Sequence, residues 1–114
     1  MILTSYFGKR NIKKTGLTPV GISPTAPSSF HGKRYMSLAP SWDILKLAYE
    51  GKKKEFSQRY VAEVLEWLDP LKVYAELDGS ILLTHDDFLP LSHRRLVAEW
   101  LKEATGNEVR ELDA

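Results

Sequence analysis

The sequence contains no cysteine. A disulfide framework, a thiol nucleophile and a thiolate metal site are therefore excluded, and the absence fits a reducing compartment. Long hydrophobic runs are also missing, because none approaches the roughly 18 residues that a membrane-spanning helix needs. Residues 1–7 lack the basic start and the long apolar centre of a signal peptide. We therefore expect a cytoplasmic protein with no membrane partner.

Acidic residues are missing from the first third of the chain. Residues 1–40 contain six cations and no Asp or Glu, whereas all 15 acids lie in residues 41–114. The six cations are Lys9, Arg10, Lys13, Lys14, Lys33 and Arg34. Because the formal net charge of the whole chain is only +1, a globally basic nucleic-acid binder is not indicated. The asymmetry indicates either an anionic ligand or a basic face balanced by acidic helices.

The 114 residues have the usual size of one domain, and we expect residues 1–114 to form a single domain. Strands are predicted over 2–7, 19–23 and 80–85, with an edge strand over 108–110. Helices are predicted over 42–50, 55–68 and 93–105, with a short one that opens at Pro70 and a long irregular loop over 24–41. This order predicts an α/β fold: a small three-layer domain with a short, mostly parallel sheet flanked by helices.

The most informative motif is Ser92-His93-Arg94, which opens the last predicted helix just beyond a buried strand. In α/β sheets, ligands lie beyond the carboxyl ends of the strands. The free N–H groups of a helix start, a hydroxyl, a titratable ring and a guanidinium together suit a phosphate or a carboxylate. In the alternative, Ser92 only caps the helix, His93 is a satisfied ring, and the arginines are solvated or paired with Glu99.

His85 follows the same strand and is itself followed by Asp86 and Asp87. It is a candidate general base that one aspartate would orient. The alternative is a surface turn in which the aspartates cap backbone groups. A triad with Ser92 is conceivable, but no nucleophile-elbow glycines surround that serine. The histidine spacing matches no metal-ligand pattern and the glycines form no nucleotide fingerprint, so we expect no metal and no cofactor.

Two basic loops combine donors with aromatic rings. The first is Gly8-Lys9-Arg10, directly after the first strand, and the second runs from His31 to Tyr35. Cations beside rings suit phosphates and stacked bases. The alternative interpretation is a pair of solvated loops, one of which is anchored in the core by its tyrosine.

Four blocks of the chain resemble the uncharacterised family known as domain of unknown function 488. They are Leu3-Thr4-Ser5-Tyr6-Phe7, Tyr35-Met36-Ser37-Leu38-Ala39-Pro40-Ser41-Trp42, Ile81-Leu82-Leu83 and Ser92-His93-Arg94-Arg95-Leu96-Val97-Ala98-Glu99-Trp100-Leu101. The resemblance implies a compact α/β domain whose activity is not established. Family members typically have one cysteine after the Leu-Leu strand and another in a Cys-His-Arg at the helix start. This chain has Thr84 and Ser92 there, which argues against thiol chemistry, while the retained His93 and Arg94 favour binding of an anionic group.

The leading hypothesis is a domain that binds a phosphate- or carboxylate-bearing small molecule or a nucleotide at the strand ends, with hydrolase or transferase activity left open. The predicted ligand-binding residues are Ser5, Tyr6, Arg10, Lys33, Arg34 and Arg94. The predicted catalytic residues are His93, His85 and Ser92. One alternative is a nucleic-acid-binding accessory protein that uses the basic third and the rings of Tyr6, Phe7, Phe30 and Tyr35. Another is a protein-interaction module without a pocket, and the oligomeric state is open.

Overall fold

Five short strands form one sheet in the computed structural model of this chain, which describes residues 1–86 and 89–112. The strands are β1 (Ile2–Tyr6), β2 (Thr18–Gly21), β3 (Lys33–Arg34), β4 (Ser80–Thr84) and β5 (Val109–Glu111). Their order across the sheet is β3-β2-β4-β1-β5, and every neighbouring pair is parallel. The central strand β4 is buried along its whole length, as its continuous apolar run predicts.

Four α-helices of the described residues supply the connections that follow β3 and β4. They are α1 (Trp42–Tyr49), α2 (Lys53–Glu63), α3 (Pro70–Leu77) and α4 (His93–Thr105). Both predicted serine caps are confirmed: Ser41 accepts a hydrogen bond from the N–H of Ile44, and Ser92 accepts one from the N–H of Arg94. Within the described ranges, no helix combines the length and the apolar character needed to cross a bilayer.

The four helices pack on one face of the sheet. Successive residues of a strand point to opposite faces, and Ile2, Val20 and Leu82 lie on the face that meets the helices. Phe56 and Tyr60 of α2 are fully buried in the same cluster. Burial of one such side chain stabilises a fold by about 1.5–3 kcal/mol, so this cluster is the main source of stability.

A much thinner layer covers the opposite face. β1 leads into a segment, residues 7–17, that crosses this face before β2 begins and contains one 3₁₀ turn, Ile12–Thr15. Phe30, from the connection after β2, joins this layer, and Leu83 of β4 lies beneath it. Helices, sheet and covering segment are the three layers, so the predicted three-layer α/β domain with a parallel sheet is confirmed.

Two predicted stretches differ from the structure. The irregular loop over 24–41 contains β3, because Lys33 and Arg34 pair with Val20 and Gly21. Two exposed cations have no hydrophobic pattern that would predict a strand. The helix predicted over 55–68 ends at Glu63, because the backbone of the next residue turns to φ −120° and ψ −65° and a 3₁₀ turn follows.

Candidate functional site

The carboxyl ends of β1 and β4 mark the place where this sheet changes direction. The two strands are neighbours, yet the chain leaves β1 over the thin layer and leaves β4 for α4 in the helical layer. Such a switch opens a crevice beyond the strand ends, where α/β proteins bind ligands. Tyr6 and Thr84, which are partners in the register, end the two strands.

The side chain of Arg94 is fully buried beside this crevice. Its Nε and Nη2 donate to the carboxylate of Glu111 at 2.9–3.1 Å. Its Nη1 donates to the hydroxyls of Thr84 and Ser92, at 2.6 and 3.0 Å, and to the carbonyl of Asp86. Every nitrogen of the group is thus directed into the protein. The prediction that Arg94 faces a ligand is therefore wrong, because its anion is the chain's own Glu111.

The hydroxyl of Ser92 belongs to the same enclosed network. It lies 3.0 Å from the hydroxyl of Thr84, and Ser92 is fully buried. Thr84 ends β4 and Ser92 precedes α4, and the structure places their hydroxyls in contact. Among the described residues the Ser92 hydroxyl meets no histidine. The predicted nucleophile therefore has no base to activate it, and the triad with His85 does not form.

His93 is 1% exposed and is held inside the protein. Its Nε2 lies 2.7 Å from the carbonyl oxygen of Ile22, so this nitrogen carries the proton and donates it. Burial lowers the pKa of His93 to about 4, and the charge of Arg94 adds to this effect, whereas the bond to Ile22 opposes it. A neutral, enclosed ring cannot exchange protons with a substrate, so the predicted catalytic role of His93 is corrected to a structural one.

His85 lies at the crevice and is exposed. Its Nε2 is 2.9 Å from the carbonyl oxygen and 3.2 Å from the hydroxyl of Thr25, and its ring packs against Phe7 at 5.0 Å. These contacts tie the end of β4 to the connection after β2. Asp87, one of the two residues expected to orient the imidazole, lies outside the described residues. The role of His85 as a base stays a prediction.

The other predicted ligand residues are dispersed. Arg34 donates to the carbonyls of Ser23 and Pro24, at 3.1 and 2.7 Å, and so braces the connection after β2. Lys33 lines a hollow of about 200 Å³ that reaches the first residue of β4, at the amino end of that strand. Ser5 is fully buried, and within the described part of the chain its hydroxyl has no hydrogen-bond partner. Arg34 is therefore committed to backbone carbonyls, Ser5 is enclosed, and Lys33 lines a hollow that shares no lining residue with the hollows beside β1.

A hollow of about 490 Å³ lies between the sheet and the segment that follows β1. We call it the apolar hollow, because Phe7, Phe30, Pro19 and Leu83 form its floor. The rings of Phe7 and Phe30 meet edge to face with their centroids 5.0 Å apart, a favoured geometry for aromatic pairs. The volume falls within the range of small-molecule sites, about 300–1,000 Å³.

Cations form the rim of the apolar hollow. Lys9, Lys13 and Lys14 line it, and none of them makes an ion pair with a described residue. No acid is among the described residues that line the hollow. A bound anion would therefore meet three uncompensated positive charges beside an apolar surface.

A second, polar hollow of about 300 Å³ adjoins the first at the carboxyl end of β1. Tyr6, Gly8 and Arg10 line it, and it shares Lys9 and Asn11 with the apolar hollow. Two predicted ligand residues, Tyr6 and Arg10, are therefore brought together here. A ligand with an apolar part and an anionic part has a matching surface for each part.

Comparisons with protein-family models, with curated proteins and with solved structures found no match for this chain. The site must be interpreted from its own chemistry. Its described residues offer positive charge for an anionic group, and aromatic rings and apolar surface for an apolar part of the same molecule. Within the described ranges, His, Asp and Glu side chains form no group of three that could hold a metal ion.

Two glycines give the aromatic floor its shape. A side chain at Gly32 would place its Cβ 2.5 Å from the ring of Phe30, and one at Gly21 would lie 3.2 Å from the ring of Phe7. The first distance is far below van der Waals contact, so the ring occupies the space that any larger residue at position 32 would need. Gly32 therefore positions Phe30 in the hollow.

Lys13, Lys14 and Pro19 are absent from the predicted site residues. The sequence could have indicated both lysines as site residues, because residues 9–14 carry four cations, lack acids and come soon after a strand. Pro19 has no such signal, since only the tertiary fold brings β2 beneath the covering segment.

Proposed function

We propose that this chain binds an anion that carries an apolar or aromatic part, with a mononucleotide as the leading example. The anionic group lies among Lys9, Arg10 and the lysines of the rim, and the apolar part lies on the rings of Phe7 and Phe30. The observation that carries the proposal is the rim of lysines without ionic partners around an aromatic floor.

Binding, rather than turnover, is the proposed activity. Of the three residues predicted as catalytic, Ser92 and His93 are enclosed by protein, and the exposed His85 has its Nε2 within hydrogen-bond distance of Thr25. A lysine rim holds an anion as a set of point charges on flexible stems. Such a rim tolerates different anionic groups, so the aromatic floor is the main source of selectivity.

The test uses anilinonaphthalene sulfonate, which joins aromatic rings to an anion, and adenosine monophosphate as a competitor. We expect the paired substitution Lys13→Ala and Lys14→Ala to weaken binding about tenfold, because two charges of the rim are lost. The matched control is Lys53→Ala with Lys54→Ala, two exposed lysines that open α2 away from the hollow. Equal affinities for the two pairs would show that the hollow is not the site.

Single-stranded nucleic acid is the second candidate, favoured by the paired rings of Phe7 and Phe30 beside unpaired cations. Phosphate contacts release counterions, so the affinity for an oligothymidylate would fall steeply with added salt. Fluorescence anisotropy at several salt concentrations separates the candidates. Tight, salt-dependent binding that the control lysine pair leaves unchanged favours nucleic acid, whereas binding of the mononucleotide alone favours the small ligand.

A further inference from the structure

Trp67 is 82% exposed, which is unusual for so large an apolar side chain. It ends the 3₁₀ turn Leu65–Trp67 after α2, and Leu71, in the first turn of α3, is 60% exposed nearby along the chain. Its chain neighbours Glu66 and Asp69 are exposed acids. Lys72, which follows Leu71, is exposed as well, but residues 63–72 contain three acids and one base, so the indole ring is flanked by net negative charge.

The apolar hollow in the opposite layer has the complementary character. It offers two aromatic rings and a rim of Lys9, Lys13 and Lys14 without ionic partners in the described residues. Its volume of about 490 Å³ is ample for an indole ring. The indole of Trp67 and its acidic flank are therefore complementary to the aromatic floor and the basic rim in chemical character and charge.

The chain as a whole also carries its charge unevenly. Residues 1–40 carry a formal charge of +6 and residues 41–114 carry −5. Oppositely charged surfaces attract each other before contact, so the basic rim of one copy and the acidic flank of Trp67 on another favour this pairing. Because Trp67 is 82% exposed, it does not fill the hollow of its own chain.

We infer that a second copy of this chain docks here, with Trp67 of one copy seated in the apolar hollow of the next. The contact is heterologous, since each copy contributes a different surface, and such contacts build rings or open chains. The inference rests on the hollow of the proposed function, so a small anionic ligand competes with self-association. Because one side chain anchors the contact, we expect it to be weak, with a Kd of about 10 μM to 1 mM.

Sedimentation velocity of the full chain over a concentration series tests the inference. The average mass should rise with concentration at low salt and fall again at high salt, because the charged flanks are screened. Trp67→Ala should stay monomeric while it still binds anilinonaphthalene sulfonate. Trp42→Ala is the matched control, since that ring is 58% exposed on α1, and it should associate like the unaltered chain.

Mixing two variants gives the decisive measurement. Trp67→Ala keeps the hollow, whereas Lys13→Glu with Lys14→Glu keeps the tryptophan and loses the rim. Each variant alone should be monomeric, and the mixture should form a one-to-one heterodimer that grows no further. Association that Trp67→Ala abolishes but the charge reversal leaves intact would overturn the inference in favour of a symmetric tryptophan contact.

A monomeric unaltered chain at every concentration would also overturn the inference. The proposed function would still stand after that result if the dye binds and the paired substitution Lys13→Ala and Lys14→Ala weakens its binding. If the Lys13 and Lys14 substitutions weaken dye binding no more than the Lys53 and Lys54 control while self-association is intact, the small-ligand function is rejected and the docking surface is kept.

Discussion

The carboxylate of Glu111 holds the guanidinium of Arg94 by a bifurcated hydrogen bond from Nε, at 3.0 and 3.1 Å to its two oxygens, and by a second bond from Nη2 at 2.9 Å. The hydroxyl of Thr4 donates to the same carboxylate at 2.7 Å. Through Arg94 the edge strand β5 is thus fastened to the start of α4, and through Thr4 it is fastened to β1. A fully buried positive charge needs such a partner, because water cannot reach it.

Glu111→Ala should lower the free energy of unfolding by about 3 kcal/mol, the low end for a broken buried pair, because the Glu111 side chain is 27% exposed. Its loss leaves the guanidinium of Arg94 enclosed without an anion. Urea denaturation measures the change. Glu108→Ala is the control, since its ion pair with Lys102 is exposed on both sides, and it should change stability little. Equal effects of the two substitutions would contradict a stabilising role for Glu111.

This pair also explains where sequence-based prediction succeeds and where it stops. The spacing of apolar residues and the serine before His93 predict helix α4 at its observed bounds. The partner of Arg94 is 17 residues further along the chain, and no local pattern reveals it. The motif correctly predicts a site for an anion, but the anion in that site is the chain's own Glu111.

The two hollows beside β1 are likewise only partly predictable from the sequence. The acid-free composition of the first third predicts a basic surface, and Tyr6 and Arg10 do lie together. That Phe30 packs against Phe7 depends on how the connection after β2 folds back, and on the space that Gly32 leaves. Such tertiary placement has no periodic signal in the sequence.

His93 should make the protein sensitive to mild acid. The unfolded chain binds a proton on this ring near pH 6.5, whereas burial first, and then the charge of Arg94, lower the pKa of His93 in the fold to about 4. As the pH falls from about 6.5 to 4, the unfolded state gains the proton first, so the free energy of unfolding falls by roughly 3 kcal/mol.

His93→Gln keeps an N–H donor for the carbonyl of Ile22 but does not ionise. Its stability, measured by urea denaturation at several pH values, should change less than that of the unaltered chain between about pH 6.5 and 5. Parallel profiles for the two proteins would show that His93 is not the source of the acid sensitivity. An NMR titration of the ring checks the lowered pKa directly.

Tyr60→Phe should destabilise the helical layer. The buried hydroxyl of Tyr60 donates to the carbonyl oxygen of Leu38 at 2.6 Å, and its removal should cost about 1–2 kcal/mol. The control is Tyr74→Phe, because that hydroxyl makes no hydrogen bond within the described part of the chain. Thermal and urea denaturation compare the two variants, and equal stabilities would mean that the bond to Leu38 contributes nothing net.

Gly32→Ala should reshape the apolar hollow without unfolding the protein. The new Cβ would lie 2.5 Å from Cζ and 2.9 Å from Cε1 of Phe30, at the far end of a side chain that can turn away. It would also lie 3.1 Å from the backbone oxygen of Pro19, a contact that a shift of a few tenths of an ångström relieves. We expect the edge-to-face contact between Phe30 and Phe7 to be lost, and the affinity for anilinonaphthalene sulfonate to fall about fivefold. The control is Ser29→Ala, at an exposed residue next to Phe30, which should change neither the ring contact nor the affinity for the dye. Nuclear Overhauser contacts between the two rings report the geometry independently of the dye, and their survival together with undiminished binding would show that Gly32 does not position Phe30.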